Sequence, residues 1–359
     1  MKDTQQYEGK WEKRWHPLRD EWIVYAAHRN TRPWSFEKKP ARKNTAPEYD
    51  ENCYLCPGNL RVHGDRNPDY KDIFIFDNDH PVVGLHSPTI SPQQREFGGG
   101  LYRKEKAHGI ARVVCYDPRH NVTLSEVSTA QVAKVFLAWK LQMIEFSKME
   151  GIRYTLIFEN KGEVVGVSNP HPHCQIYSTD FIFTLIQKEI EQAAWYRKEY
   201  NKNIFEQIIV NELEFEKRII AENSTSIAFI PFFARYAYEV MVMPKRRHAT
   251  LITMSETELY DLAQAFQEVQ RRYDVAFDMS FPYVMTIHQA PIDGKEYPDY
   301  HLYISILPPY RQPGLIKYLA GPEIGGGNFM ADTIPEEKAQ ELRSVDLSDF
   351  QEYQSPSKE

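Results

Sequence analysis

Two stretches of this chain can be laid one on the other. ARVVCYDPRHNVTLSEVS begins at Ala111 and YEVMVMPKRRHATLITMS at Tyr238. Each reads as a strand, a proline, a basic residue, a histidine, a Thr-Leu pair and the start of a helix. Self-similarity of this kind marks a copied supersecondary unit whose two copies share one core. Around each copy the order is strand–strand–helix–strand–strand. In the first, Asp72–Phe76 and Ala111–Tyr116 read as strands. Ser128 and Gln131 predict a capping box, and Val132, Val135, Phe136, Trp139, Met143 and Phe146 recur at helical spacing. Strands follow at Tyr154–Phe158 and Cys174–Tyr177. In the second, strands at Ile227–Phe233 and Tyr238–Met243 lead to a box of Ser255 with Glu258. The stripe Leu259, Leu262, Ala263, Phe266, Val269 and Tyr273 comes next, then strands at Tyr283–Ile287 and Leu302–Leu307. A further strand is predicted over Glu21–Ala27, a helix over about Phe183–Tyr200, and a long surface loop over 86–110. Without regular βαβ alternation, the pattern predicts antiparallel sheet with packed helices, an α+β fold.

Composition narrows the function classes. The 359 residues are 42% hydrophobic and 26% charged, which suits a globular protein with a sizeable core. A net charge of −7 argues against gripping a nucleic-acid backbone, yet leaves room for a local basic pocket. No apolar run is long enough to span a membrane, so no membrane partner is expected. The opening MKDTQQYEGKWEKRW lacks an apolar signal region, so a cytoplasmic location is expected. Four cysteines are too few for a disulfide framework.

Two of them stand as Cys53-Tyr-Leu-Cys56. The spacing suits two corners of a metal tetrahedron; a buried pair or a redox couple are the other readings, the redox one lacking its βαβ setting. Two more ligands are needed, and His120 and His171 stand at strand ends in the same half. Such a zinc would be structural, because four protein ligands leave no open position. His171-Pro172-His173 follows Asn169-Pro170, so prolines stiffen the backbone on both sides of His171. On extended backbone His171, His173 and Gln175 share a face, whereas Cys174 points to the other. An imidazole whose Nδ1–H is held by a carbonyl presents a free Nε2 lone pair, which acts as a base or a nucleophile. Ser168, Gln175 and the amides of the Gly166-Val167-Ser168 turn can donate to phosphoryl oxygens. Neither a Walker motif nor G-x-G-x-x-G is present, so phosphate binding here takes another form.

In these residues the chain resembles the galactose-1-phosphate uridylyltransferase family of the histidine-triad superfamily. The likeness runs from about Trp15 to Arg343 and includes HPLRDEWIVYAAHRNTRPW, CYLCPGNLRVHGDRNPDY, FIFDNDHP and ENKGEVVGVSNPHPHCQIY. The resemblance implies two histidine-triad-like halves forming a half-barrel sheet: residues 1–180 with the zinc site and the nucleophile, 181–343 without them, and a polar tail over 344–359. It implies ping-pong transfer, with His173 attacking UDP-glucose and handing uridylyl to galactose 1-phosphate. Gln175 and Ser168 would hold phosphoryl oxygens, with Asn160, Gly166 and Val167 lining the pocket. Leu55, Val62, Phe76, Asn78 and Asp79 match the uridine side, and Lys317, Tyr318 and Glu323 the hexose side. Arg29 and Arg32 match arginines arriving from another subunit, which implies a homodimer. Cys53, Cys56, His120 and His171 match the family's zinc ligands, about one zinc per chain. Of a second site for iron or zinc, Glu189 and His288 match, but Tyr303 and Ser305 stand at the other two positions, so that metal is expected to be absent or weakly bound. Cys174 stands where the family usually has Gly, and Pro322 where it has Tyr. A related enzyme acting on ADP-glucose and a non-catalytic zinc-stabilised nucleotide-sugar binder are the alternative readings.

Overall fold

The computed structural model describes residues 10–31, 46–167 and 169–352. In chain order the first half runs β1 (Trp11–His16), β2 (Glu21–Ala26), β3 (Phe74–Asp77), α1 (Pro92–Arg95), β4 (Glu96–Phe97), β5 (Tyr102–Arg103), β6 (Gly109–Cys115), α2 (Thr129–Phe146), β7 (Tyr154–Lys161) and β8 (His173–Thr179). Then follow α3 (Thr184–Tyr200), α4 (Ile204–Phe215), β9 (Ile219–Glu222), β10 (Ser226–Phe229), β11 (Val240–Pro244), α5 (Glu256–Phe277), β12 (Tyr283–His288) and β13 (Tyr303–Leu307). β14 (Tyr310–Gln312), β15 (Leu315–Ile316), β16 (Met330–Ala331) and α6 (Pro335–Arg343) complete the order.

Nine strands form one antiparallel sheet in the order β3-β6-β8-β7-β12-β13-β11-β10-β9. The order mirrors itself about the β7–β12 seam, where Ile157 faces Ile287 and Asn160 faces Val284. β6, α2, β7 and β8 of one half thus correspond to β11, α5, β12 and β13 of the other, and the fold is α+β with duplicated halves. The helices α2 and α5 lie together on one face, joined by Phe136 against Phe266 and by Thr129 Oγ1 donating to Gln267 at 2.7 Å.

Strand alternation explains why both faces are covered. Val240 and Val242 belong to the core beneath α2 and α5, whereas Met241 and Met243 belong to a second core under α3 and α4. In β8, Cys174 and Ile176 point into the first core, and His173 and Gln175 on the opposite face remain half-buried. That open patch is where the chemistry can sit.

Several boundaries differ from expectation. β10 stops at Phe229 rather than Phe233, ahead of Pro231, which has no N–H for a ladder. The 86–110 loop contains α1 and the β4–β5 hairpin, with β6 already begun at Gly109. The Ser255–Glu258 box forms in both directions. Its counterpart is half-made: Ser128 accepts from Gln131 N–H, but the Gln131 amide turns away to Asp72 and the Tyr116 carbonyl. No helix among the described residues is long and apolar enough to cross a membrane.

Candidate active site and metal centre

β8 opens on the His-Pro-His segment. His173 Nδ1–H donates to the His171 carbonyl at 2.7 Å, which leaves Nε2 without that proton. Burial lowers the His173 pKa below the usual imidazole range, so the ring is held neutral. A cavity of about 60 Å³ is lined by His173, Gln175, Asn160, Gly166, Val167 and Phe158. A second, of about 240 Å³, shares Asn160, Val167 and His173 and runs on to Glu159 and Lys161. Two glycines shape the loop above them. Gly162 has φ +96° and so close an approach to Pro282 that a Cβ would lie 2.6 Å from its ring, and Gly166 has φ +86°. Ser168 lies outside the described residues.

Gln175 is oriented from its oxygen side. Its Oε1 accepts from Asn78 Nδ2 at 3.2 Å and from Tyr177 O–H at 3.0 Å. The amide N–H groups are therefore left as donors. Through Asn78 the phosphate side is tied to the expected nucleoside side. There, Asp79 pairs with Arg61 at 3.4 Å, and the Arg61 guanidinium lies over the Phe76 ring at 4.6 Å. Val62 is exposed, but Leu55 is buried inside the cysteine turn.

Cys53, Cys56, His120 and His171 are all buried, and their ligand atoms lie within 4.8 Å of one another. Cys56 Sγ is 3.7 Å from His120 Nδ1 and 3.6 Å from His171 Nδ1. A tetrahedron with zinc–sulfur and zinc–nitrogen bonds of ordinary length has an S···N edge of about 3.6 Å. The donor set therefore fits such an ion. The hydrogen bond with Cys56 pulls the Cys53 thiol pKa well below its ordinary value, against burial and with help from His171 and Asn169. Asn169 accepts the His171 backbone N–H at 2.9 Å and presents its amide to Cys53 Sγ at 3.4 Å. One expectation needs correcting. His171 does not share a face with His173 and Gln175, because it precedes the strand and its ring turns into the cysteine cluster.

Glu189 is fully buried beside His288, 3.1 Å away. Its two oxygens also accept from Tyr303 O–H at 2.7 Å and Tyr300 O–H at 2.6 Å. Burial raises its pKa, but His288, with help from Arg19 and the Tyr300 hydroxyl, outweighs that and holds it below the ordinary carboxylate range.

The remaining expected residues gather elsewhere. Arg29, Tyr318 and Glu323 line a pocket of about 150 Å³ together with Arg311, Pro322 and Asp332. Lys317 is buried, its Nζ donating to Glu323 at 3.1 Å and to the Met330 carbonyl at 2.6 Å. None of the residues lining this pocket lines the cavities at His173. Arg32 lies outside the described residues. Sequence reasoning missed Arg61, Asn169 and Tyr70; Tyr70 donates to the Leu55 carbonyl at 2.6 Å and contacts His171 Nε2 at 2.9 Å. Their only signal was a place inside the quoted segments, since loop residues carry no periodicity.

The galactose-1-phosphate uridyl transferase N-terminal domain matches residues 2–182 and the C-terminal domain of the same family matches 189–355. Galactose-1-phosphate uridylyltransferase of Hypocrea jecorina is 35% identical over 93% of this chain and 95% of its own length. That of Saccharomyces cerevisiae is 32% identical over 93% and 94%. A solved uridylyltransferase structure covers 93% of this chain and 97% of its own at 29% identity, with a TM-score of 0.74. An ADP-glucose phosphorylase from Arabidopsis thaliana reaches the same TM-score at 21% identity and so shares the fold. On these matches, spanning both halves, the chain belongs to the galactose-1-phosphate uridylyltransferase family.

Proposed function

We propose that the protein exchanges UDP-glucose and galactose 1-phosphate for glucose 1-phosphate and UDP-galactose through a covalent uridylyl-histidine at His173. The observation that carries this reading is the His173 Nδ1–H bond to the His171 carbonyl, which aims a free Nε2 into a cavity beside Gln175. The Nε2 lone pair attacks the α-phosphorus, the bond from that phosphorus to the bridging oxygen breaks, and glucose 1-phosphate leaves with the electron pair. The ring keeps its Nδ1 proton throughout, and the carbonyl shares the positive charge of the adduct. A phosphate oxygen of galactose 1-phosphate then displaces His173 in the reverse sense. One nucleophile suits both half-reactions, since the same charge develops on the same phosphoryl oxygens twice. The Gln175 amide and Ser168 hold those oxygens, with Asn160, Gly166 and Val167 around them. Leu55, Val62, Phe76, Asn78 and Asp79 form the uridine side.

Cys53, Cys56, His120 and His171 hold one zinc per chain. Bound there, the ion clamps the cysteine turn to the His-Pro-His segment. The phenols on Glu189 support a purely structural role for Glu189 and His288. The separation of the Arg29 pocket from His173 supports a homodimer, in which Arg29 and Arg32 reach the partner's phosphates while Lys317, Tyr318 and Glu323 meet the hexose. Residues 1–180 are the catalytic half, 181–343 the supporting half and 344–359 a tail, working in the cytoplasm.

Incubation with UDP-glucose labelled in the uridine, followed by denaturing electrophoresis, tests the reading. Label retained on the wild-type chain, absent from His173→Gly, and released by galactose 1-phosphate is expected. Labelling by ADP-glucose alone defeats it. Binding of UDP-glucose without any covalent label makes the protein a binder.

A further inference from the structure

We infer that Tyr70 is a positioning residue that latches the two ligand-bearing segments of the metal centre together and, through His171, orients His173. The inference rests on the metal reading given above. The Tyr70 hydroxyl donates to the Leu55 carbonyl at 2.6 Å, within the Cys53–Cys56 turn. With its proton used there, the phenol oxygen accepts from His171 Nε2–H at 2.9 Å, a proton it shares with the Asp117 carbonyl at 3.1 Å. One hydroxyl thus joins the thiol segment to the histidine segment by protein bonds alone. With Nε2 protonated, the Nδ1 lone pair is the one that faces Cys56 Sγ, 3.6 Å away. The carbonyl of the same His171 receives His173 Nδ1–H at 2.7 Å. Leu55, Tyr70, His171 and His173 therefore form an unbroken hydrogen-bonded series from the cysteine turn to the nucleophile.

The ring of Tyr70 is itself fixed. It is 8% exposed, so water does not compete for its bonds, and it stacks on Phe74 at 5.0 Å. Phe74 stacks in turn on Phe76 at 5.2 Å, the aromatic on the uridine side. The second half supplies an internal control. His301 Nε2–H donates to the Pro244 carbonyl at 2.8 Å, as His171 does to Asp117, but no phenol among the described residues bonds that ring. The phenol accompanies the histidine that faces thiols and is missing from the one that does not. Groups holding the far nitrogen of a ligating histidine set its tautomer and orientation, and removing one typically weakens metal binding about 10–100-fold.

Tyr70→Phe keeps the stack and deletes the hydroxyl. Zinc affinity of the full-length variant and wild type is measured by competition with a chromophoric chelator, and turnover at limiting and saturating zinc. The expected result is zinc binding weakened about 10–100-fold, near-UV circular dichroism unchanged, and turnover that is lost at limiting zinc and restored by saturation. Affinity within twofold of wild type overturns the latch. Phe74→Leu, which removes the stack and keeps the hydroxyl, should lose less affinity than Tyr70→Phe; an equal or larger loss makes the role packing and overturns the latch as well. A wild-type chain that binds no zinc overturns the metal reading itself. In wild type, the His171 Nε2 proton should give a slowly exchanging NMR signal with and without zinc. Its disappearance on zinc removal means that the ion orients the ring, and the latch fails even if no variant folds.

Discussion

The two halves place a histidine at the same point and do different things with it. His171 and His301 both enter their strand by donating Nε2–H to a carbonyl at the end of the strand alongside, Asp117 and Pro244 respectively. In the first half the other nitrogen faces Cys56; in the second it accepts the His248 backbone N–H at 3.1 Å. Two residues on, His173 holds its Nδ1 proton on a carbonyl and keeps Nε2 free, whereas Tyr303 gives its hydroxyl to Glu189. The shared imidazole is thus part of the fold. In the proposed reaction, chemistry depends on whether the neighbouring turn supplies thiols and on which side chain sits two residues later.

The sharpest break of that comparison is to delete the working side chains in turn. His173→Gly should lower turnover by at least about 10⁴-fold, the scale seen when a nucleophile is removed. Tyr303→Phe should cost about 1.5–3 kcal/mol of stability, one buried hydrogen bond to a carboxylate, with turnover little changed. Stopped assays and denaturant melts on both variants check this, and comparable turnover losses would erase the distinction. The retained activity of wild type should fall as pH drops through the His173 pKa. Burial lowers that pKa, and in the proposed reaction the neutral ring is the nucleophile, so the acid limb should lie below the ordinary value of about 6.5. A midpoint above 7 in the kcat/KM profile contradicts a desolvated His173.

Next in size is the metal. With free zinc a thousandfold above its Kd, an ion bound at the proposed centre would stabilise the fold by about 4 kcal/mol. Stripping it should lower the melting temperature, Cys56→Ala should reproduce the drop, and His301→Ala should leave the zinc content at one. Metal analysis that finds zinc lost from His301→Ala would move the centre to the other half.

A smaller effect comes from the buried Glu159 at the seam, whose carboxyl is pushed up to about 7 by burial, with Lys161 and Tyr283 opposing. Between the ordinary carboxylate range and that value the folded chain holds a proton that the unfolded chain has released. Stability from this group therefore falls as pH rises through that window, by at most about 1.4 kcal/mol per unit. Glu159→Gln should flatten the slope in denaturant midpoints between pH 5 and 7; an unchanged slope assigns it to other groups. Smallest is the capping difference. Ser255→Ala breaks a two-way box and should cost about 1–2 kcal/mol, Ser128→Ala a one-way cap about 0.5–1 kcal/mol. Equal losses would mean the halves are capped alike.

These contrasts also show what a sequence makes legible. The stripes of α2 and α5 were readable because burial on one face imposes the period, and the copied strand-histidine-helix order followed from that. His173 and the four candidate ligands stood out because prolines and cysteine spacing mark them locally. The charged α6 and the strands β1 and β9 were missed, since short or polar elements carry little pattern. Gln131 has the right type for a box, yet Asp72 and the Tyr116 carbonyl compete for its amide, and only the folded neighbourhood decides that. Tyr70 lay in plain view in a loop, but its partners Leu55 and His171 are distant in sequence.

The β7–β12 seam has a bearing on how such a chain can be divided. β7 is eight residues long, and its inner edge is covered by β12 alone. A first half made by itself would expose that row of backbone donors and acceptors as an open template. The outer edges, β3 and β9, have only four residues each. Severed halves should therefore meet through β7 and β12 before any other edge, and mixing two fragments cut between β8 and α3 should rebuild the sheet, whereas either fragment alone would recruit its own kind.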